Sequence, residues 1–184
     1  LNAFDFGDLI LFSVKLFEEN EDIREIYSKN FKYILVDEYQ DTNFIQNKWL
    51  NLLVNIKQNI CCVGDDDQSI YSWRGAEIKN FLTFDKIYKD CKVFKLEQNY
   101  RSTKNILETA SALISNNSNR VGKKLWSSSS QGDKVKLNCY KTGKDEAQGI
   151  SDIIEHNLKK KYSLNDVSIL VRAIYQTREF EERF

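Results

Sequence analysis

The 184 residues include 27 basic and 27 acidic side chains, and 41% are hydrophobic and 12% aromatic. That balance supplies apolar surface for a core and excludes both intrinsic disorder and a highly charged tail. No apolar run approaches the roughly 20 residues of a membrane span, and Leu1-Asn2-Ala3-Phe4-Asp5 lacks the basic-then-apolar order of a signal peptide. A cytoplasmic protein of one domain, or two small ones, is the expectation.

Asp8 to Glu19 has helical spacing, with Leu9, Phe12 and Leu16 and the neighbouring Ile10 and Phe17 as an apolar stripe expected to cover a sheet. Tyr33-Ile34-Leu35-Val36, Ile60-Cys61-Cys62-Val63 and Val93-Phe94-Lys95-Leu96 are short apolar runs followed at once by polar residues, the pattern of buried parallel strands. Phe44 to Ile56 and Ala76 to Tyr88 carry helical spacing between them, so strand, helix, strand, helix, strand predicts an α/β layer fold. Ser102 is placed to cap a helix reaching about Asn116, with Ile106, Leu107, Ala110, Leu113 and Ile114 facing a core. Beyond a serine-rich loop, Val135, Leu137 and Cys139 alternate as in a half-buried strand, Lys144 to Lys160 reads as helix, and Val167 to Val171 as a buried strand. Gln176 to Phe184 reads as a helix without a C-cap signal.

The four cysteines lack metal-ligand spacing and are expected as buried reduced thiols, and His156 has no second ligand candidate nearby. Average usage would give about nine prolines; the chain has none, and no methionine. A piece of a longer protein is the expectation.

In open α/β sheets, ligands bind beyond the carboxyl ends of the strands. After the first run stands Asp37-Glu38-Tyr39-Gln40-Asp41, where one acid can hold a hydrated Mg²⁺ while the other orients a water; a solvated turn capping the next helix is the plainer alternative. After the second stands Gly64-Asp65-Asp66-Asp67-Gln68-Ser69-Ile70-Tyr71-Ser72-Trp73-Arg74-Gly75-Ala76. Its aromatics can stack on bases and its arginine can pair with phosphate, or the aromatics can fold back onto the protein. The third run ends in Glu97-Gln98-Asn99-Tyr100-Arg101-Ser102, making Arg101 a candidate arginine finger or a surface residue at a helix start.

These blocks, in this order, resemble the superfamily 1 DNA helicases of the UvrD, PcrA and Rep type. Ile34 to Asn43 is similar to that family's Walker B motif, Val63 to Ala76 to its motif III, and Leu96 to Ser102 to its motif IV. Weaker similarity extends through Asp5-Phe6-Gly7-Asp8-Leu9 and Asn119-Arg120-Val121-Gly122-Lys123-Lys124-Leu125-Trp126, so it covers nearly the whole chain. The resemblance implies a RecA-like P-loop NTPase fold of parallel sheets with flanking helices. Residues 1–97 would be the C-terminal part of a first RecA-like domain, and 98–184 the incomplete N-terminal part of a second. It implies ATP and Mg²⁺ as cofactors. Asp37 would be the metal ligand, Glu38 the base that orients the attacking water and Gln68 the γ-phosphate sensor. Tyr100 would stack on adenine and Arg101 reach the γ-phosphate. Tyr71, Trp73 and Arg74 would meet single-stranded DNA, with Gln40 and Asp41 connecting the two sites.

The implied parent is an ATP-dependent helicase moving 3′ to 5′ on single-stranded DNA, acting at DNA junctions in repair or replication. Two departures stand out within the matched stretches: Ile174 replaces a usual polar asparagine, and Gly7 stands where an acid is common. The family's GxxxxGK[ST] phosphate loop is not in these residues, since Gly143-Lys144 is followed by Asp145 and Asn138 occupies the first glycine position. The chain alone is therefore expected not to turn over ATP. A subunit of a recombination-type helicase-nuclease and a catalytically silent DNA-binding module are the alternatives.

Overall fold

A computed structural model describes residues 3–54, 59–88, 90–118, 120–160 and 162–184. Contacts divide the chain into two compact units, Leu1–Asp133 and Lys134–Phe184.

In the first unit, the Asp5 carboxylate accepts the Asp8 N–H at 2.8 Å while the Asp8 carboxylate accepts the Asp5 N–H at 3.1 Å. This reciprocal box, worth about 1 kcal/mol, starts α1 (Phe6–Glu19). A second helix, α2 (Glu21–Asn30), follows directly; none of its residues is buried, although Ile23, Ile26 and Tyr27 stand at helical spacing. The buried side chains of α1 are Val14 and Phe17, whereas Leu9, Phe12 and Leu16 are exposed. Phe17 belongs to the expected stripe and Val14 does not; the covered face turns toward Val14 because α1 packs on α2 and α3 (Phe44–Leu53). A Lys48–Glu18 ion pair at 2.7 Å joins α3 to α1.

Strands β1 (Ile34–Val36) and β2 (Ile60–Cys62) pair in parallel, with Ile34 opposite Ile60 and Val36 opposite Cys62. A parallel pair needs a crossover, and α3 supplies it. Asn43 and Gln46 form its capping box. The helix ends at Leu53, and Ile56, expected as its end, lies outside the described residues. The helix expected over Ala76 to Tyr88 is interrupted at Thr83, giving α4 (Ile78–Leu82) and α5 (Phe84–Ile87). The Thr83 hydroxyl donates to the Lys79 carbonyl at 2.7 Å, a local bond that competes with the helical ladder.

Three expected strands do not form among the described residues. Val93 to Leu96 pairs with neither β1 nor β2, and Phe94 and Leu96 are 80% and 82% exposed. The chain after it pairs elsewhere, Trp126 N–H donating to the Glu97 carbonyl and Asn99 N–H to the Trp126 carbonyl. Val135 to Cys139 and Val167 to Val171 likewise have no ladder partner, and Leu137 and Leu170 are exposed. A strand exists only through a neighbour that completes its backbone bonds, and these runs have none here. The thiols also depart from expectation: Cys61 and Cys139 are exposed, and Cys62 and Cys91 are partly buried. Burial pushes the Cys62 thiol up to about 12, with Cys61 and Cys91 adding to the effect.

Helix α6 (Lys104–Ile114) has Thr103, not Ser102, at its N-cap. Its first free N–H groups donate instead to the Ser130 and Gln131 carbonyls, from Lys104 and Asn105 respectively. Of its expected core face only Leu107 is buried; Ile106, Ala110 and Leu113 are exposed.

In the second unit, α7 (Gly143–Leu158) starts at Thr142, whose hydroxyl accepts the Asp145 N–H, and buries Ala147, Ser151 and Ile154. That i, i+4, i+7 face is the helical period in use. Helix α8 (Thr177–Arg183) packs against it, Arg183 Nε donating to Gln148 Oε1 at 2.9 Å. Ile174 lies exposed in the turn before α8.

Candidate active site

The carboxyl ends of β1 and β2 open side by side. Val63 N–H donates to the Val36 carbonyl at 2.8 Å and Tyr39 N–H to the Val63 carbonyl at 3.0 Å, so the ladder outlasts both strands. Asp37 and Glu38 leave β1 exposed, and the Glu38 N–H donates to Asp37 Oδ1 at 3.0 Å. Glu38 has φ +50°, the left-handed region, which costs a non-glycine residue about 1–2 kcal/mol. The kink starts the Tyr39–Asp41 turn.

That turn is the anchor of the site. Tyr39 and Gln40 are each 1% exposed. The Tyr39 ring packs edge-on to Phe84, and its hydroxyl donates to Asn47 Oδ1 at 2.7 Å. Asn47 in turn donates to Asn80 Oδ1, tying α3 to α4. Gln40 reaches both strand ends: its Nε2 donates to Glu38 Oε2 at 2.7 Å, and its Oε1 accepts the Asp65 N–H at 3.0 Å. Gly64 lies against it, since a Cβ there would stand 2.6 Å from Gln40 Oε1 and 2.8 Å from the Phe81 ring. Asp41 Oδ1 is buried without a hydrogen-bond partner.

The loop after β2 holds Asp65, Asp66 and Asp67, with one carboxylate oxygen from each within 4.8 Å of the others. Cations of the chain itself answer them. Arg120 grips Asp67 with two bonds, Nε to Oδ1 at 2.8 Å and Nη2 to Oδ2 at 2.5 Å. Lys123 donates to Asp65 Oδ1, and the Val121 N–H donates to Asp66 Oδ2 at 2.7 Å. Partial burial pushes the Asp65 carboxyl up, but Lys123, the Gln68 amide and the Asp67 N–H outweigh it and hold the group below its ordinary range. Gln68 donates to Asp65 Oδ2 at 2.7 Å. Sequence reading placed Arg120 and Lys123 inside a similar stretch without a role; opposite charge was their one available signal.

Tyr71 and Trp73 lie exposed with ring centroids 6.4 Å apart. The Arg74 guanidinium sits over both, 5.4 Å from the first ring and 4.7 Å from the second. This is a solvent-facing platform of two π-surfaces and a cation, not a set of aromatics folded into the core. Tyr100 is exposed, its hydroxyl donating to Gln98 Oε1 at 2.9 Å, and Arg101 is exposed with its N–H on Asn99 Oδ1. The structure thus joins Asp37, Glu38, Gln40, Asp65 and Gln68 through bonds. No hydrogen bond or ion pair links Tyr100 or Arg101 to that group among the described residues.

Residues 1–89 match the UvrD/REP helicase N-terminal domain, and residues 94–184 match the UvrD-like helicase C-terminal domain. The chain is 49% identical over 184 residues to a probable DNA helicase II homolog of Rickettsia conorii, covering all of this chain and 28% of that protein. It is equally identical, over the same shares, to DNA helicase II of Rickettsia typhi. Against the ATP-dependent DNA helicase PcrA of Staphylococcus epidermidis it is 48% identical over 99% of this chain and 25% of that protein. The chain thus spans 25% to 28% of the length of these relatives. With its two halves matched in order and about half its residues shared with such relatives, the chain belongs to the UvrD-like helicase family.

Proposed function

We propose that this chain forms the back of the first and the front of the second RecA-like domain of an ATP-driven motor on single-stranded DNA, divided near residue 97. One observation carries the reading: buried Gln40 bonds the Glu38 carboxylate on one side and the Asp65 backbone on the other. A base candidate and the loop bearing Gln68 are therefore one mechanical piece. Glu38 orients the attacking water, and Gln68 reports the γ-phosphate through the same link. Asp37 offers an exposed carboxylate at the strand end, the hard oxygen donor that suits a Mg²⁺ keeping most of its waters. When bound, the metal neutralises phosphate charge. Tyr100 stacks on adenine, Arg101 approaches the γ-phosphate, and the Tyr71, Trp73 and Arg74 platform carries the bases. The direction is 3′ to 5′, the setting is DNA repair or replication in the cytoplasm, and DNA junctions are the targets.

The test is single-stranded-DNA-stimulated ATPase of the full-length protein containing this chain, beside Glu38→Gln. Activity should fall about a hundredfold or more in the variant, the scale of a lost general base. The 184 residues alone should show none, because they lack the phosphate loop and its lysine. A folded full-length protein without activity would overturn the motor in favour of a silent DNA-binding module.

A further inference from the structure

Gln68 is exposed, and among the described residues its side chain has one bond, to Asp65 Oδ2. The other oxygen of that carboxylate accepts from Lys123, so Lys123, Asp65 and Gln68 form a continuous chain. Lys123 also stands 3.5 Å from Asp67 Oδ2, the oxygen that Arg120 holds. Both cations lie beyond α6, in the stretch matched to the C-terminal domain, whereas the acids lie in the stretch matched to the N-terminal domain.

We propose that Arg120 and Lys123 are positioning residues that clamp the Asp65–Gln68 turn from the second matched domain and so set the direction of the Gln68 amide. This role rests on the ATP reading above. Three carboxylates so close repel one another, and without the cations the turn would open and Gln68 would lose its fixed partner. The side chains of the clamp are 13% to 24% exposed, so solvent and salt screen them less than an ordinary surface pair. The two-bond grip of Arg120 fixes orientation as well as charge, which a lysine could not do. Because the clamp joins one matched domain to the other, any movement that separates them would release Gln68 at the same moment.

The experiment is a double-mutant cycle in the full-length protein, using Arg120→Ala, Gln68→Ala and both together. Single-stranded-DNA-stimulated ATPase is read alongside amide hydrogen exchange over residues 65–69. Arg120→Ala should lower kcat about tenfold, the scale of a misplaced group, while KM for ATP stays within about threefold. The double variant should be no slower than Gln68→Ala alone, and exchange over 65–69 should rise while that of α1 and α3 stays put. Losses that multiply in the double variant, or unchanged exchange in Arg120→Ala, would overturn the clamp. Should Arg120→Ala not fold, Arg120→Lys keeps the charge without the fork and is judged by the same cycle. If Gln68→Ala is as fast as wild type, or wild type hydrolyses no ATP, the ATP reading fails and this role with it. The exchange arm then separates that failure from a clamp that does not hold the turn.

Discussion

Gly64 lies against the two groups that hold the site together, the Gln40 amide and the Phe81 ring. Neither can retreat freely, because Gln40 is bonded at both ends and the Phe81 ring packs 6.5 Å from that of Tyr39. Gly64→Ala should therefore cost about 1–3 kcal/mol, the range for overpacking, read as a lower urea midpoint at unchanged slope. A variant as stable as wild type would show that the contact is loose. Glu38 carries the opposite kind of strain, a left-handed backbone at the residue proposed above as the base. Backbone strain of this sort gathers at functional sites, and here it stands where the chain turns out of β1.

The acidic turn is an element whose stability responds to pH. The Asp65 carboxyl is held below its ordinary value of 3.8, the net result of burial opposed by Lys123 and Gln68. The unfolded chain then takes up a proton more readily than the folded one. The stabilisation is complete above the ordinary value and is lost as pH falls through the lower, folded one. The melting midpoint should drop on acidification below about pH 4, and Asp65→Asn should flatten that limb; equal limbs in both proteins would refute the assignment. Two strands and the helix between them were legible because each apolar run ends at a burst of acids and the spacing between them is helical. The runs at 93–96, 135–139 and 167–171 look the same in sequence, but pairing belongs to the neighbour rather than to the run. Asp37 and Glu38 stand directly after β1 and Gln68 in the loop after β2, the places where the sequence pattern directs attention first. Arg120 and Lys123 were not legible, because local spacing says nothing about partners 53 to 58 residues away.

Across the whole molecule, apolar surface stays uncovered. Leu35 and its register partner Cys61 are both exposed, leaving one face of the sheet open, and Val93, Phe94 and Leu96 are exposed as well. Parallel sheets in larger proteins are covered on both faces, and large open apolar patches mark contact or aggregation. The 184 residues alone should bind a hydrophobic dye and self-associate as concentration rises, seen by light scattering; a dye-silent monomer would contradict this. The Arg120 grip on Asp67 closes 53 residues of chain. Distant closures lose loop entropy first and form late, and contacts absent from the folding transition state govern escape from the native state. In stopped-flow, Arg120→Ala should therefore unfold faster while refolding at nearly the wild-type rate. The grip is then a timer: it sets how long the two matched halves stay joined, and hardly at all how quickly they meet.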